Sequence, residues 1–355
     1  AQGLIQSTAS NDAPRLDYST GAKAFLLEQQ STNLVTYSED LSNFSKTNIT
    51  EVDGNQVTPN GTVGSIKITP TSSAITQLQI SSLTVGASYS FSFFVKKAEA
   101  SNLIINQAGS AGQRVSYNID NLTYIGIAGV DTNIVSYGNG WVRIEYSVNS
   151  LTYNNIRIVL SNGTNVYPYN PPIGDGLYLW GFQLEQNSFS TSYIPTSGAS
   201  ATRNQELCNN ATPVINSEEG TLYFEASALV DENDRRISLS DGSLNNYVSI
   251  GYSRFTGNIV GEIFSNGVSQ NLNWGATGIT QINNNKFALS WGNGTMKFYV
   301  NGIQTLTTTI TSPIGMNVLN FAAGNNALTM YANTKDLKVY PKALADVQLQ
   351  DLTTI

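Results

Sequence analysis

The sequence predicts an all-β protein with two β-sandwich (jelly-roll) domains, a short N-terminal arm and one short C-terminal helix. Three observations lead to this fold class. Apolar and polar residues alternate with a period of two over many short segments, as they do in half-buried strands. Turn residues, above all Gly and Asn, separate these segments. A helical pattern of apolar residues occurs only in residues 341–352.

A polar stretch divides the chain into two halves. The segment Gly176–Arg203 begins with an apolar strand. The strand pattern is then broken by Pro195, Gly198 and a run of Ser, Thr and Ala, which form the polar stretch. The 355 residues suffice for two domains of ordinary size. We therefore expect an N-terminal attachment arm (1–44), a first sandwich (45–203), a linker (204–213) and a second sandwich (214–355).

The N-terminal part is predicted to contain one hairpin. Arg15–Tyr18 is typical of a short strand, a turn follows, and Lys23–Glu28 is typical of a returning strand. The stretch to residue 44 looks like a loop that packs along another surface through spaced apolar residues. These are Leu34, Val35, Tyr37, Leu41 and Phe44.

The first half then shows about eight strands. We expect them at 64–68, 75–80, 88–97, 102–107, 115–119, 141–148, 155–160 and 177–184. In the last of these, the period of two places Tyr178, Trp180, Phe182 and Leu184 on one face and Leu177 and Leu179 on the other. A strand that is apolar on both faces belongs inside a sheet. Trp141, Trp180 and Trp291 occur in regular strand patterns, which favour core positions.

The second half repeats the strand pattern. Asp241-Gly242, Asn266-Gly267 and Asn301-Gly302 are strong hairpin signals, because Asn and Gly adopt positive φ at low cost. In the helical segment, Pro341 stands near the start. We expect Leu344, Val347 and Leu349 to face inward.

The composition excludes several classes of function. The chain has 18 Lys and Arg residues, a net charge of −7 and a pI of about 4.7, which disfavours binding to nucleic acid or to anionic membranes. It has no His, which removes His-dependent catalysis and His metal sites. Cys208 is the single cysteine, so it has no intrachain disulfide partner. No apolar run is long enough for membrane insertion, and no signal peptide is visible.

The sequence also argues against an enzyme. Glycoside hydrolysis needs a second carboxylate within roughly 5–10 Å of the first. Glu225 and Glu262 each stand without a second acid at alternating positions of the same strand. The favoured interpretation of both is a structural or solvent-facing carboxylate.

Sugar binding is the better-supported chemistry, because aromatic rings stack on sugar faces while polar side chains bind the hydroxyl groups. Trp274 ends a polar strand just before a turn. Tyr167 and Tyr169 lie in a proline-rich loop, where packing of the loop on its own rings is the alternative. Tyr247 and Tyr252, with Asn246 nearby, are weaker candidates of the same type.

One segment carries carboxylates suited to Ca²⁺. Asp231 and Asp234 fall in one acidic turn and Asp241 in the next, and Ca²⁺ prefers several oxygen ligands from loops. The alternative is a charged hairpin tip without a metal. No other cofactor is indicated.

Two groups of motifs carry a resemblance to known families. The first is Pro14–Tyr18, Leu26–Leu34 and Tyr37–Asp40, followed by a Gly140–Arg143 step and a close at Leu179–Glu185. Thr191–Thr196 comes next along the chain. In this order, residues 14–203 resemble bacteriophage tail-fibre and head-spike proteins that carry a sandwich like that of carbohydrate-binding modules.

The second half resembles laminin-G-like, concanavalin A-like domains. The carriers are Gly220–Glu225, Phe298–Gly302 and Lys335–Tyr340. The resemblance implies a fold that mostly binds glycans or proteins and that often holds a structural Ca²⁺.

These resemblances imply a non-enzymatic phage fibre or spike protein on the virion surface. Its expected partners are a host cell-surface polysaccharide or other glycan, other virion proteins and two further copies of the chain in a homotrimer. Two alternatives stay open. One is a structural virion decoration without a receptor of its own, and the other is a secreted bacterial carbohydrate-binding or adhesion protein.

Overall fold

The computed structural model describes residues 15–18, 22–108, 113–163, 171–230, 234–253, 258–273 and 278–355, with the backbone alone at 271–273. These residues form two compact units. The first unit contains Gln30–Asn204. The second contains the segment up to Gln29 together with Gln205–Ile355. Both units are built of antiparallel sheets, which confirms the predicted all-β class.

The N-terminal hairpin predicted from the sequence is present, and it belongs to the second unit. Its strands are β1 (Leu16–Asp17) and β2 (Ala24–Leu26), and β2 pairs with the last strand of the chain, Ala332–Tyr340. Leu27 is buried in the core of that unit. Part of the segment expected as an arm (1–44) is therefore integrated into a sheet, and its role in attachment stays a prediction.

The first unit contains fourteen strands among the described residues. They are β3 (Ser31–Asn33), β4 (Ser45–Thr47), β5 (Ile49–Asp53), β6 (Ile66–Pro70), β7 (Gln77–Ser81), β8 (Tyr89–Lys97), β9 (Asn102–Asn106), β10 (Val115–Asn118), β11 (Thr123–Ile125), β12 (Val130–Gly138), β13 (Trp141–Val148), β14 (Asn155–Leu160), β15 (Leu177–Glu185) and β16 (Ala201–Arg203).

Two six-stranded sheets enclose the core of this unit. One has the order β11-β10-β9-β14-β7-β4 and the other the order β12-β13-β8-β15-β6-β5, while β3 and β16 form a separate pair. The strand predicted at 141–148 is confirmed as β13, and its alternating residues Val142, Ile144 and Tyr146 all face the core. As predicted, β15 is an interior strand.

The predicted faces of β15 need one correction. A β-bulge between Trp180 and Gln183 shifts the register against β8, and Gly181 at this point has a φ of +68°. The extra residue reverses the alternation, so Phe182 faces the same core as Leu179. Trp180 faces the opposite side of the sheet.

The spaced apolar residues before β4 differ in their burial. Val35, Leu41 and Phe44 are buried in the core, as expected for residues that pack on a surface. Leu34 is 38% exposed and Tyr37 is 40% exposed. These two residues therefore do not have the packing role that the sequence suggested.

The second unit has ten further strands. They are β17 (Gly220–Ala228), β18 (Arg235–Ser240), β19 (Tyr247–Tyr252), β20 (Ile259–Ser265), β21 (Val268–Asn273), β22 (Asn285–Gly292), β23 (Thr295–Val300), β24 (Ile303–Thr309), β25 (Val318–Asn320) and β26 (Ala332–Tyr340). The sheet orders are β1-β2-β26-β17-β22-β23-β24 and β21-β20-β19-β18-β25.

The C-terminal helix α1 (Asp346–Thr353) packs on the outer face of the larger sheet. Leu349 is buried against Tyr223, Ala288 and Tyr299, as its predicted inward position requires. Val347 is 68% exposed, so its predicted inward position is wrong. Val347 is two residues from Leu349, about 200° away around the helix, so it faces solvent when Leu349 faces the sheet. Within the described ranges, no helix has the length and apolar character needed to cross a membrane.

Candidate functional site

Four of the candidate residues from the sequence lie outside the described residues. They are Trp274, Tyr167, Tyr169 and Asp231. Their proposed roles in glycan and calcium binding stay predictions.

The two tyrosines expected near a sugar site are buried in the second unit. The Tyr252 hydroxyl donates a hydrogen bond to the Ala226 carbonyl (2.8 Å), and its ring is fully buried. The Tyr247 ring stacks on Phe264 with 4.8 Å between ring centroids and is 5% exposed. Neither ring presents an open face to which a sugar could bind.

Asn246 and Asp241 form a structural network. The Asn246 side chain donates to Asp241 Oδ2 (3.0 Å) and accepts from the backbone N–H groups of Asn266 and Ile314. Asp241 also accepts from the backbone N–H of Ser243 at 2.9 Å and from its hydroxyl at 2.6 Å. These contacts account for both residues without a ligand.

The other metal candidate, Asp234, lies beside a cation. Its carboxylate is 3.7 Å from the Arg236 guanidinium. In the described part of the chain, no group of three or more Cys, Asp or Glu side chains could hold a metal ion together. A structural Ca²⁺ that also uses Asp231 stays a prediction.

Glu225 has no second acid on its own strand, but the structure places an acid from a neighbouring strand opposite it. Asp336 on β26 pairs directly with Glu225 on β17, and side chains at such positions have Cβ atoms about 4.5–5.5 Å apart. Sequence periodicity missed the pair because its members are on different strands. Both carboxylates have partners: Tyr223 donates to Glu225 (3.0 Å), and Lys338 forms an ion pair with Asp336. The pair is thus part of a polar network on the outer face of a sheet.

Glu262 has a similar structural environment on the smaller sheet. It is largely buried and accepts a hydrogen bond from the Ser249 hydroxyl at 2.9 Å. The Arg236 guanidinium lies 3.8 Å from it. This carboxylate is balanced by a cation, as a buried charge must be.

A cleft in the first unit combines an aromatic ring with free acceptor groups. It has a volume of about 300 Å³, at the lower end of the range for ligand pockets. Its walls come from the loop after β3 and from the loop between β15 and β16. The residues that line this cleft, called the first-unit cleft below, are Tyr37, Glu39, Asp40, Pro195, Thr196 and Ser197.

Backbone and side-chain hydrogen bonds hold these two loops together. Tyr37 pairs with Ser197 in an isolated antiparallel bridge, and the Thr196 N–H donates to the Ser38 hydroxyl (2.8 Å). Asn33, which is fully buried, donates to the carbonyls of Phe182 (3.1 Å) and Ile194 (2.9 Å). Asn33 of β3 therefore holds both β15 and the loop between β15 and β16.

An aromatic cluster supports the cleft from the outer face of the sheet. Phe94, Trp141 and Trp180 are buried there, and the Tyr193 ring packs on Trp180 with 4.8 Å between centroids. The burial of the three residues confirms the core positions predicted for Trp141 and Trp180. Trp180 lies outside the main core because it occupies the face of β15 opposite to Leu179.

The hydroxyl of Tyr193 connects this cluster to the cleft. It lies 2.7 Å from the Ser38 hydroxyl and donates to Glu39 Oε1 at 3.3 Å. Burial raises the pKa of the Tyr193 phenol, although its hydrogen bond with Ser38 has the opposite effect. The phenol therefore stays neutral at physiological pH and acts as a fixed hydrogen-bond donor or acceptor.

The two carboxylates of the cleft have few partners. Glu39 and Asp40 are both exposed. Asp40 Oδ1 accepts the backbone N–H of Ser42 (2.7 Å), which leaves its second oxygen open to solvent. The exposed Tyr37 ring beside them can stack on the apolar face of a sugar. The two carboxylates can accept hydrogen bonds from the sugar hydroxyls.

Sequence reasoning missed this site although it contained the relevant signals. Tyr37–Asp40 and Thr191–Thr196 are both motifs of the sequence, but nothing in the sequence indicates that they meet in space. The spacing of Tyr37 predicts an apolar packing residue. In the structure, Val35 and Leu41 are buried while Tyr37 is exposed.

A second cleft of about 300 Å³ lies in the second unit. Asp234, Arg235 and Tyr331 are among its lining residues. The Arg235 guanidinium is buried and donates to the Val230 carbonyl at 3.0 Å. Asp234 directly follows residues 231–233 in the sequence, and those residues are outside the described ranges, so the first-unit cleft is the better-defined site.

Comparison with protein-family models and with curated proteins finds no match for this chain. Solved structures with partial similarity include a sialidase domain, an arabinanase domain and a pentraxin. The CBM40 of the Ruminococcus gnavus IT-sialidase is 18% identical over 39% of this chain and 84% of its own, with a TM-score of 0.33.

The two others have similar values. Domain 4 of the GH43 extracellular arabinanase AbnA from Geobacillus stearothermophilus, in complex with arabinotriose, is 19% identical over 47% of this chain and 84% of its own (TM-score 0.35). A native heptameric SAP-like pentraxin from Limulus polyphemus is 15% identical over 40% of this chain and 72% of its own (TM-score 0.33). Similarities at this level assign neither a family nor a ligand to this chain.

Proposed function

We propose that this chain is a non-enzymatic glycan-binding protein and that the first-unit cleft holds the glycan. The observation that carries this proposal is the exposed Tyr37 ring beside the open carboxylates of Glu39 and Asp40 in one cleft. An aromatic platform with nearby hydrogen-bond acceptors suits a sugar ring, which has an apolar face and a hydroxyl edge. The low share of charged residues, 12%, also suits a surface that binds neutral polar ligands.

The biological role that we propose is host attachment by a bacteriophage fibre or spike. In this role the protein lies on the virion surface, forms a homotrimer, contacts other virion proteins and binds a host polysaccharide. The support is the order of the sequence motifs, two of which contribute the walls of the cleft. A secreted bacterial carbohydrate-binding protein would use the same cleft in the same way.

The proposal can be tested with a glycan array and the purified full chain. We expect saturable binding to at least one defined glycan. Replacement of Tyr37 by Ala should weaken that binding at least about tenfold, which corresponds to about 1.4 kcal/mol of binding free energy. The matched control is Tyr153→Ala in the same unit, since Tyr153 is 39% exposed and lies outside the cleft.

Three results would change the proposal. Absence of any glycan signal from folded protein would favour a structural virion decoration. Equal binding by Tyr37→Ala and the wild type would move the site away from the first-unit cleft. Loss of binding in EDTA would indicate that a metal ion takes part, and the predicted Asp231, Asp234 and Asp241 would then be tested by substitution with Asn.

A further inference from the structure

We infer that the first-unit cleft selects uncharged or amino sugars and rejects sugars that carry a carboxylate, sulfate or phosphate. This inference rests on the proposed function, because it concerns the ligand of the same cleft. It goes further by assigning the charge class of that ligand.

The first step of the argument is the charge of the cleft walls. Glu39 and Asp40 are the two ionisable carboxylates among the lining residues, and the remaining residues that line the cleft are uncharged. Neither carboxylate takes part in an ion pair among those found in the described ranges. The cleft thus has an uncompensated negative charge, in contrast to the balanced carboxylates Glu262 and Asp336 elsewhere.

The second step is the hydrogen-bonding capacity that remains for a ligand. Tyr193 donates to one oxygen of Glu39, and the Ser42 N–H donates to one oxygen of Asp40. These contacts orient both carboxylates and leave acceptor sites on each. The Thr196 hydroxyl donates to the Val35 carbonyl (2.7 Å), so it offers no free donor. The cleft is therefore rich in acceptors, which match hydroxyl and ammonium donors.

The third step is the electrostatic consequence for an acidic ligand. A ligand anion about 4 Å from one carboxylate is repelled enough to weaken binding about fivefold even at the dielectric constant of water. Two carboxylates and partial desolvation increase this factor. An ammonium group at the same place gains a comparable advantage, and the Tyr37 ring can add a cation–π contact.

The experiment uses the full chain and matched glycans on one array. Each set contains an uncharged oligosaccharide, its counterpart with a free amino sugar, and its sialylated, sulfated or uronic acid counterpart. Binding is measured at low and at physiological salt. We expect the acidic member of each recognised set to bind at least about fivefold more weakly than the uncharged member. Higher salt should narrow this difference, because it screens the charges.

Two double variants provide the decisive comparison. Glu39→Gln combined with Asp40→Asn keeps the shape of the cleft and should abolish the discrimination against acidic sugars. The control is Asp53→Asn combined with Asp131→Asn, which changes the net charge equally at exposed positions outside the cleft. This control should keep the discrimination of the wild type.

The possible failures are distinguishable. If acidic members bind as well as or better than uncharged members, and Tyr37→Ala abolishes that binding, the charge selection is overturned while the glycan-binding function stands. If the control loses the discrimination to the same extent as the cleft variant, overall charge rather than the cleft is responsible, which also overturns the inference. If folded protein binds no glycan in any set, the proposed function and the inference both fail.

Discussion

The hydroxyl of Ser38 lies 2.7 Å from the phenol oxygen of Tyr193, although 155 residues separate them in the chain. This contact links the two loops that form the first-unit cleft. Ser38 also accepts the backbone N–H of Thr196 and is fully buried. The position of Glu39, the next residue, therefore depends on how firmly this contact holds.

Replacement of Tyr193 by Phe tests that dependence. The ring would keep its packing on Trp180, while the hydrogen bonds to Ser38 and Glu39 would be lost. We expect the free energy of unfolding to fall by about 1 kcal/mol, the usual net value of such hydrogen bonds. Glycan affinity should fall as well, because Glu39 loses its fixed orientation. Urea unfolding followed by tryptophan fluorescence and titration of the bound glycan measure the two effects.

A matched control exists in the same aromatic cluster. Tyr178 packs beside Trp180, and no hydrogen bond of its hydroxyl group is found among the described residues. Tyr178→Phe should therefore leave both stability and affinity unchanged. If Tyr193→Phe behaves like Tyr178→Phe, the contact between Ser38 and Tyr193 does not hold the cleft.

Replacement of Gly181 by Ala tests the bulge in β15. Its φ of +68° is unfavourable for any residue with a Cβ, and the added Cβ would lie 2.8 Å from Cδ2 of the buried Phe94. We expect a loss of about 3 kcal/mol in the free energy of unfolding, from backbone strain and overpacking together. Chemical unfolding of the purified variant measures this loss.

A second variant, Gly86→Ala, distinguishes backbone strain from overpacking. Gly86 also has a positive φ, +85°, but an added Cβ would have no atom within 4 Å. Gly86→Ala should therefore show only the backbone cost of about 1–2 kcal/mol. Equal losses in the two variants would mean that Phe94 moves freely and that the aromatic cluster is not tightly packed.

The stability of the first unit should depend on Asp120 in acid. The Lys97 ammonium, together with the Ser101 hydroxyl, holds the pKa of Asp120 below its usual range. A carboxylate with a lowered pKa in the folded state stabilises the fold above the pKa of the unfolded chain. This contribution is lost as the pH falls from the usual carboxyl range through the lowered pKa of the folded state.

Asp120→Asn should accordingly lower stability at pH 7, and this effect should diminish as the pH falls towards 2. Because Asp120 is 41% exposed, we expect a difference of less than about 1 kcal/mol. Unfolding of both proteins across this pH range measures the difference. The control Asp53→Asn removes an exposed carboxylate that has no ion pair in the described part of the chain. A difference that persists unchanged at pH 2 would contradict the role of the Lys97 ion pair.

Most of the fold was predictable because short-range patterns determine it. The alternation in β13 and the Asn-Gly turns depend only on neighbouring residues and on which of them adopt positive φ. The faces of β15 were not predictable in the same way. A single bulged residue reverses the alternation, and the period of two contains no information about where the register shifts.

The candidate site was less predictable than the fold, since it depends on contacts between distant segments. Tyr247 and Tyr252 have polar sequence neighbours, yet their side chains are buried by strands that the sequence does not identify. Tyr37 lies in a series of spaced apolar residues with Val35 and Leu41, which are buried, yet its own ring is exposed. Local composition thus predicts exposure for two rings that are buried and burial for one that is exposed, because burial depends on how the sheets assemble.

The origin of the cleft walls has a consequence for biosynthesis. One wall follows β3, at the start of the first unit, and the other precedes β16, at its end. A ribosome must therefore translate almost the whole unit before both walls are available. Incomplete chains released early would contain Tyr37 without its counterpart at Ser197 and would have no assembled cleft. Assembly of the cleft therefore requires synthesis of nearly the whole unit, and a chain that ends before Ser197 cannot form it.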